Sequence, residues 1–407
     1  MPLTTDSLIE HVRTSAGIRA KVQLEPLGGP SDKVFPPTYA VPDAAKTKYP
    51  TESRVSFSDD GIASNVESVV LSSVAATAHR FKNALLEAWE SGELNLPLVG
   101  VDFEAAGLPE FGLITDLDSP HGVYDAIQRD SLDGELPFRH GQIGHAITTA
   151  SVKNATALFV NSPIALLTGA WDSTGPRGGL GSKFERAITG EIVATNIELG
   201  VKTSSRIDPL GIQKVTEIYR TADGDWTVEK SAAAPKAKAM RPSEINHGNV
   251  VPSIDARAGG VTAERITATI VLSLIQLRRL RFPTDADGNP LPAERRSDAA
   301  NAARATLAAL GLAATALSFE AGFDLRSRCV LAPTSGLVFE TVGRAGEVEQ
   351  FELDGTAALA LVADCAARAA DAGLPWRAGV HRLRPTDRLV DLVRQSQEVR
   401  EKSTEDA

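Results

Sequence analysis

Residues 171–186 read Trp-Asp-Ser-Thr-Gly-Pro-Arg-Gly-Gly-Leu-Gly-Ser-Lys-Phe-Glu-Arg. Gly175, Pro176, Gly178, Gly179 and Gly181 fall within one short stretch. Neither a regular helix nor a strand interior runs through such a sequence. Glycine loses the most backbone entropy on ordering, and proline removes a hydrogen-bond donor. The chain must therefore loop here, between the apolar Ile164–Leu167 segment and whatever follows Lys183. Glycines without Cβ let backbone N–H groups approach a ligand closely, and successive N–H groups can cradle anionic oxygens. Arg177, Lys183 and Arg186 add full positive charges. The stretch suits a polyanion. A surface turn with incidental charge is the alternative.

Two named nucleotide motifs fail on spacing. A P-loop needs glycine directly before the lysine, whereas Ser182 precedes Lys183. A dinucleotide fingerprint started at Gly179-Leu180-Gly181 needs a third glycine where Phe184 stands.

Charge sharpens the picture. The net charge of −10 argues against a generic nucleic-acid binder. Yet residues 151–281 carry 17 Lys/Arg against 12 Asp/Glu, while 1–150 carry 11 against 21 and 282–407 carry 14 against 19. The one basic third holds the glycine-rich stretch, as expected of a local polyanion track on an acidic body. Cys329 and Cys365 are far apart, which fits a reducing compartment. Met1–Ala20 has no continuous apolar run, and the most apolar stretch found, Ile270–Leu277, is too short to span a bilayer. A cytoplasmic protein without membrane contact is expected.

Hydrophobic spacing predicts a strand over Arg19–Leu27, then a Pro/Gly-rich loop. A long helix is expected over Asn65–Ser91, with Arg80 on its polar side. Strands are expected at Phe111–Leu117, Ala157–Val160, Ile164–Leu167 and Ile192–Val201. Helices are expected at Pro120–Arg129, Lys183–Thr189, Thr262–Arg281, Ser297–Leu310, Thr356–Ala370 and Asp387–Lys402. Cys329–Ala332 and Leu337–Thr341 read as a hairpin pair. The order is not the regular alternation of a doubly wound sheet, so an α+β domain on an antiparallel sheet is the better expectation.

A second polar cluster lies at 241–260. Asn246, His247 and Asn249 surround Gly248, and Arg257 follows before Gly259-Gly260. Their amide, imidazole and guanidinium groups suit phosphate, ribose hydroxyls and base edges. A turn satisfied by its own backbone is equally compatible. Upstream, Ala232–Met240 is basic and low in complexity, and reads as a flexible projection.

Trp171 through Phe184 resembles a signature of the CRISPR-associated RAMP family. So does Pro242-Ser243-Glu244-Ile245-Asn246-His247-Gly248-Asn249-Val250 with Gly259-Gly260-Val261-Thr262. Ser119-Pro120-His121, Asp125-Ala126-Ile127, Arg129-Asp130-Ser131 and Phe138-Arg139 are similar to the same family. The resemblance, over about residues 15–380, is to the backbone subunit of type I-G (earlier type I-U) effector complexes.

That resemblance implies one RAMP-type domain over 1–407, with an RRM-like, ferredoxin-type antiparallel palm. Residues 28–50 would form a loop insertion, 203–260 a basic thumb-like insertion, and 385–407 a charged C-terminal helix. The subunit would polymerise with copies of itself along CRISPR guide RNA. It would present the guide to target DNA beside the large subunit and the fused guide-processing or capping subunit. Arg177, Gly178, Gly179, Gly181, Lys183 and Arg186 would meet the guide backbone. Asn246, His247 and Asn249 would meet ribose or base, with Arg257 and Arg80 as further candidates for RNA contact. Trp171 is either a stacking platform or a buried anchor.

No catalytic residue, metal or cofactor is expected. Asp172 reads as a residue that orders the turn through side-chain to backbone bonds, and Asp59-Asp60 as a turn. The seven histidines are scattered, and no pair has ligand spacing with a further partner. The rival reading is a nucleotide-binding enzyme using the 175–183 loop for phosphates.

Overall fold

A computed structural model describes residues 3–57, 60–175, 181–377 and 379–405. Two compact units divide the chain. The larger comprises residues 1–32, 51–197 and 263–386, and the smaller comprises 33–50, 198–262 and 387–407. The fold is α+β, built on antiparallel pairings.

The larger unit is organised on a nine-stranded sheet. Along its main path the strands run Phe323–Arg326, Cys329–Pro333, Gly17–Pro26, Val261–Ser273, Ile188–Leu199, Ala63–Ser72 and Thr51–Phe57. Gly17–Pro26 alternates buried and exposed positions, with Ile18, Ala20, Val22 and Leu24 facing the core. It pairs antiparallel with Val261–Ser273, Ile18 opposite Leu272 and Leu24 opposite Ile266. A second sheet orders Leu113–Thr115, Leu98–Asp102, Val380–Pro385, Ser131–Asp133 and Leu136–Pro137.

The core helix is Arg296–Glu320, and Ala299 through Ala316 is buried almost without interruption. A helix apolar all round must be enclosed. It packs against helices Gly355–Asp371, Thr5–Thr14 and Val74–Glu90. Among the described residues it alone is long and apolar enough to cross a membrane, and its most apolar stretch is 89% buried. It therefore runs well past the expected Ser297–Leu310.

Several expected elements change type. Asn65–Ser91 is a strand, Ala63–Ser72, followed by a helix, Val74–Glu90. The Ser73 hydroxyl caps that helix by accepting from the Ala76 N–H at 3.3 Å. Thr262–Arg281 likewise splits into the Val261–Ser273 strand and a short helix, Leu274–Arg279, capped by Ser273. The error has one cause. Apolar residues four apart satisfy a period of two as well as 3.6, and the β-branched content of both segments favours the strand. Conversely, Thr156–Asn161 and Ile164–Thr168 are short buried helices where strands were expected. A fully apolar run carries no period to separate the two. Lys183–Thr189 is extended, not helical. Finally, Cys329–Pro333 and Phe339–Val342 do not pair with each other. Both lie antiparallel along Gly17–Pro26, towards opposite ends of it.

In the smaller unit, Lys202–Arg206 pairs with Val250–Asp255, and Tyr219–Arg220 with Trp226–Thr227. Val34 bridges Val261, and the Tyr49 hydroxyl accepts the Gly260 N–H at 2.7 Å. Lys236 and Lys238 are exposed, but their segment is tied down where Met240 bridges Ile218.

Candidate nucleic-acid interface

The residues on either side of the glycine-rich stretch pair as the stem of a hairpin. Ala170–Trp171 pairs with Lys183–Phe184, Trp171 directly opposite Lys183. The Asp172 N–H donates to the Ser182 carbonyl at 2.9 Å, and the Gly175 N–H to the Asp172 carbonyl at 3.3 Å. The neck is tight. A Cβ on Gly181 would stand 2.1 Å from the Asp172 carbonyl oxygen, and one on Gly175 would stand 2.9 Å from Gly181 Cα. Only glycine closes it. Ser182 fastens the returning strand by donating to the Thr148 and Ala150 carbonyls at 2.8 and 2.6 Å.

Beneath the neck lies an ion pair. Asp172 is fully buried, and its Oδ1 accepts from Arg139 Nη2 at 2.5 Å. Arg139 also donates to the Thr174 carbonyl at 2.9 Å and the Thr174 hydroxyl at 3.0 Å. Asp172 Oδ2 has no hydrogen-bond partner among the described residues. Asp172 thus orders the loop by its backbone bonds, while its carboxylate holds an arginine rather than the expected backbone N–H groups. Arg129 reaches the Thr174 hydroxyl at 3.5 Å and pairs with Asp130 at 2.8 Å.

A buried polar network adjoins Arg129 along the chain. Lys82 Nζ donates to the Ser119 carbonyl at 2.6 Å, and Gln128 Nε2 to the Ser119 hydroxyl at 2.8 Å. Gln128 directly precedes Arg129. Asp116, fully buried, accepts from the Val99 N–H at 3.2 Å and from the Ser162 hydroxyl. Burial pushes its carboxyl up to about 6, against the lowering effect of those hydrogen bonds and of Lys82. Burial in turn lowers the Lys82 ammonium. Ser119 and Gln128 therefore work as scaffold.

Lys183 and Arg186 are exposed on the outgoing arm, and Trp171 is 52% exposed. Lys183 Nζ lies 5.5 Å from the Trp171 ring centroid. Trp171 is thus a surface ring beside a cation, not a buried anchor. Arg177, Gly178 and Gly179 lie outside the described residues, as does Asp59.

Arg80 donates to the Gly322 and Asp324 carbonyls at 2.5 and 3.3 Å and lies over the Phe323 ring. It clamps the turn after the core helix. The 241–260 cluster belongs to the smaller unit. There Asn246 is exposed in a left-handed conformation, and His247 meets Trp226 edge-on at 6.0 Å. Asn249 Oδ1 accepts the Asp208 N–H at 2.6 Å. Arg257 donates to the Pro42 carbonyl at 3.0 Å and lies 3.7 Å from Asp43, pinning the 33–50 segment. Of this set, Asn249 and Arg257 are held by bonds within the smaller unit, while Asn246 offers its side chain to solvent.

Arg129 and Arg139 lie within the upstream motif, where nothing in the sequence gives them a role. They meet the hairpin from far along the chain, so no local pattern points to the pairing. The available signal was an aspartate beside a glycine-rich loop in a chain whose upstream motif carries two arginines. Among the described residues no three His, Cys, Asp or Glu side chains converge as a metal site.

The fold and hairpin stem define an α+β protein that exposes Trp171, Lys183 and Arg186 on the arms flanking a glycine-rich stretch. Residues 18–199 match the family model described as CRISPR-associated protein GSU0053. The match encloses the hairpin, Arg129, Arg139 and the buried network, and ends before the 241–260 cluster. This likeness supports a CRISPR-associated protein with a part in CRISPR defence. No curated protein matches the chain.

Proposed function

We propose that this chain is the non-catalytic, guide-RNA-binding backbone subunit of a type I-G CRISPR effector complex. One observation carries the reading. The hairpin stem that flanks the glycine-rich stretch lies wholly inside the stretch similar to a CRISPR-associated family. Its neck is locked by Arg139–Asp172, so Lys183, Arg186 and Trp171 are presented outward from a rigid base. Loop N–H groups and cations suit guide phosphates, and base pairing with target DNA is left to the guide itself.

In this account an RRM-like, RAMP-type palm binds the guide, and copies of the chain associate head to tail in the cytoplasm. A heterologous interface that does not close gives a helical filament, matching an RNA template. The large subunit and the fused guide-processing subunit complete the assembly. RNA binding to the purified chain tests this. Affinity for single-stranded RNA should rise with RNA length, fall steeply with salt, and drop when Arg177 and Lys183 become glutamate. Saturable ATP or GTP binding that depends on Lys183, with no RNA affinity, would replace this account with a nucleotide-binding enzyme.

A further inference from the structure

A cleft of about 260 Å³ opens beside the hairpin stem, between Lys183–Ala187 and the end of the Leu274–Arg279 helix. Its floor is apolar, with Leu166, Phe184 and Leu280 all buried. Its rim is polar and carries Lys183, Gln276 and Arg279. We propose that this cleft takes one nucleobase of the bound strand, an inference that rests on the RNA-binding reading above.

Phosphate does not suit the floor, because a charge set against buried leucine and phenylalanine loses its hydration without a partner. The π-face of a base does suit it. Size agrees, since the cleft lies just below the roughly 300 Å³ at which pockets for drug-sized ligands begin. It fits one ring system rather than a whole nucleotide.

The rim supplies orientation. Arg279 Nη1 donates to Gln276 Oε1 at 2.9 Å, which fixes the amide and leaves the Gln276 Nε2 hydrogens to donate to a ring nitrogen or carbonyl. Arg279 also pairs with Glu185 at 2.5 Å, so the carboxylate can accept from an exocyclic amine at the same edge. Lys183 bridges the two features. Its ammonium lies over Trp171 on one side and borders the cleft on the other, where it can meet the phosphate attached to the seated base.

The test compares binding of the full chain to a single-stranded RNA of guide length and to the same strand with its bases removed. Wild type should bind the abasic strand about tenfold more weakly, the scale of one base stack. Val152 is partly exposed at the cleft edge, so Val152→Trp fills the cleft without entering the core. That variant should lose most of the discrimination while keeping its affinity for the abasic strand. Gln276→Ala, a milder change, should lose part of it. Equal binding of both strands by wild type would overturn the base pocket and leave RNA binding standing. So would undiminished discrimination in both variants. Failure to bind either strand would remove the RNA-binding reading itself, and the pocket with it.

Discussion

At the scale of single residues, Arg139–Asp172 is the contact on which the interface depends. Asp172 is wholly inaccessible, whereas Arg139 keeps 22% of its side chain exposed. Removing one partner of a buried pair leaves an uncompensated charge and costs roughly 3–5 kcal/mol. Arg139→Ala should therefore lower stability by about 3 kcal/mol in a denaturant titration. Arg139→Met combined with Asp172→Leu should recover much of that loss while still weakening RNA binding. A loss no greater than that of an exposed arginine would contradict the assignment. Asp116 gives a pH-dependent counterpart. Its folded carboxyl titrates near 6, above its unfolded value, so its contribution is present in acid and lost as pH rises through 6. Asp116→Asn cannot ionise. Relative to wild type it should gain on the order of 3 kcal/mol between pH 4 and pH 7. A flat difference across that range would show that Asp116 ionises freely.

At the scale of elements, the hairpin neck admits only glycine. Gly181→Ala would drive a Cβ into the Asp172 carbonyl, and the Asp172–Ser182 bond must open to relieve it. RNA affinity should fall as far as in Lys183→Glu, while the far-UV spectrum stays unchanged because the change is confined to a two-residue stem. Ser73→Ala probes the reassigned boundary and should cost about 1 kcal/mol, as expected for a helix N-cap. A strand-interior serine facing solvent would cost less. Elements were legible where the pattern admitted one period. Gly17–Pro26 alternates cleanly, and Gly355–Asp371 carries a capping Asp354 and a helical stripe. They were illegible where it admitted two, as with Ile266, Ile270 and Leu274. The glycine-rich stretch stood out in the sequence, but the hairpin stem that flanks it, with Asp172 paired to Arg139, did not. The pairing of Trp171 with Lys183 and the salt bridge both depend on tertiary packing that no local sequence encodes.

At the scale of the whole molecule, an acidic chain with one basic third must concentrate its anion contacts in few places. Loss of one phosphate contact should reduce the slope of log affinity against log salt by about 0.7 for a single strand. Lys183→Glu should show at least that reduction, measured by RNA binding across a salt series. An unchanged slope would move the contact elsewhere. The central claim, that this chain coats a guide RNA, is tested most directly by co-purification. The chain is expressed with a CRISPR array and its processing partners, and the purified complex is examined by absorbance ratio and denaturing gel. RNA of guide length should accompany the wild-type protein and be lost when Arg177 and Lys183 are both glutamate. An RNA-free wild-type protein in a complex of unchanged size would contradict the account.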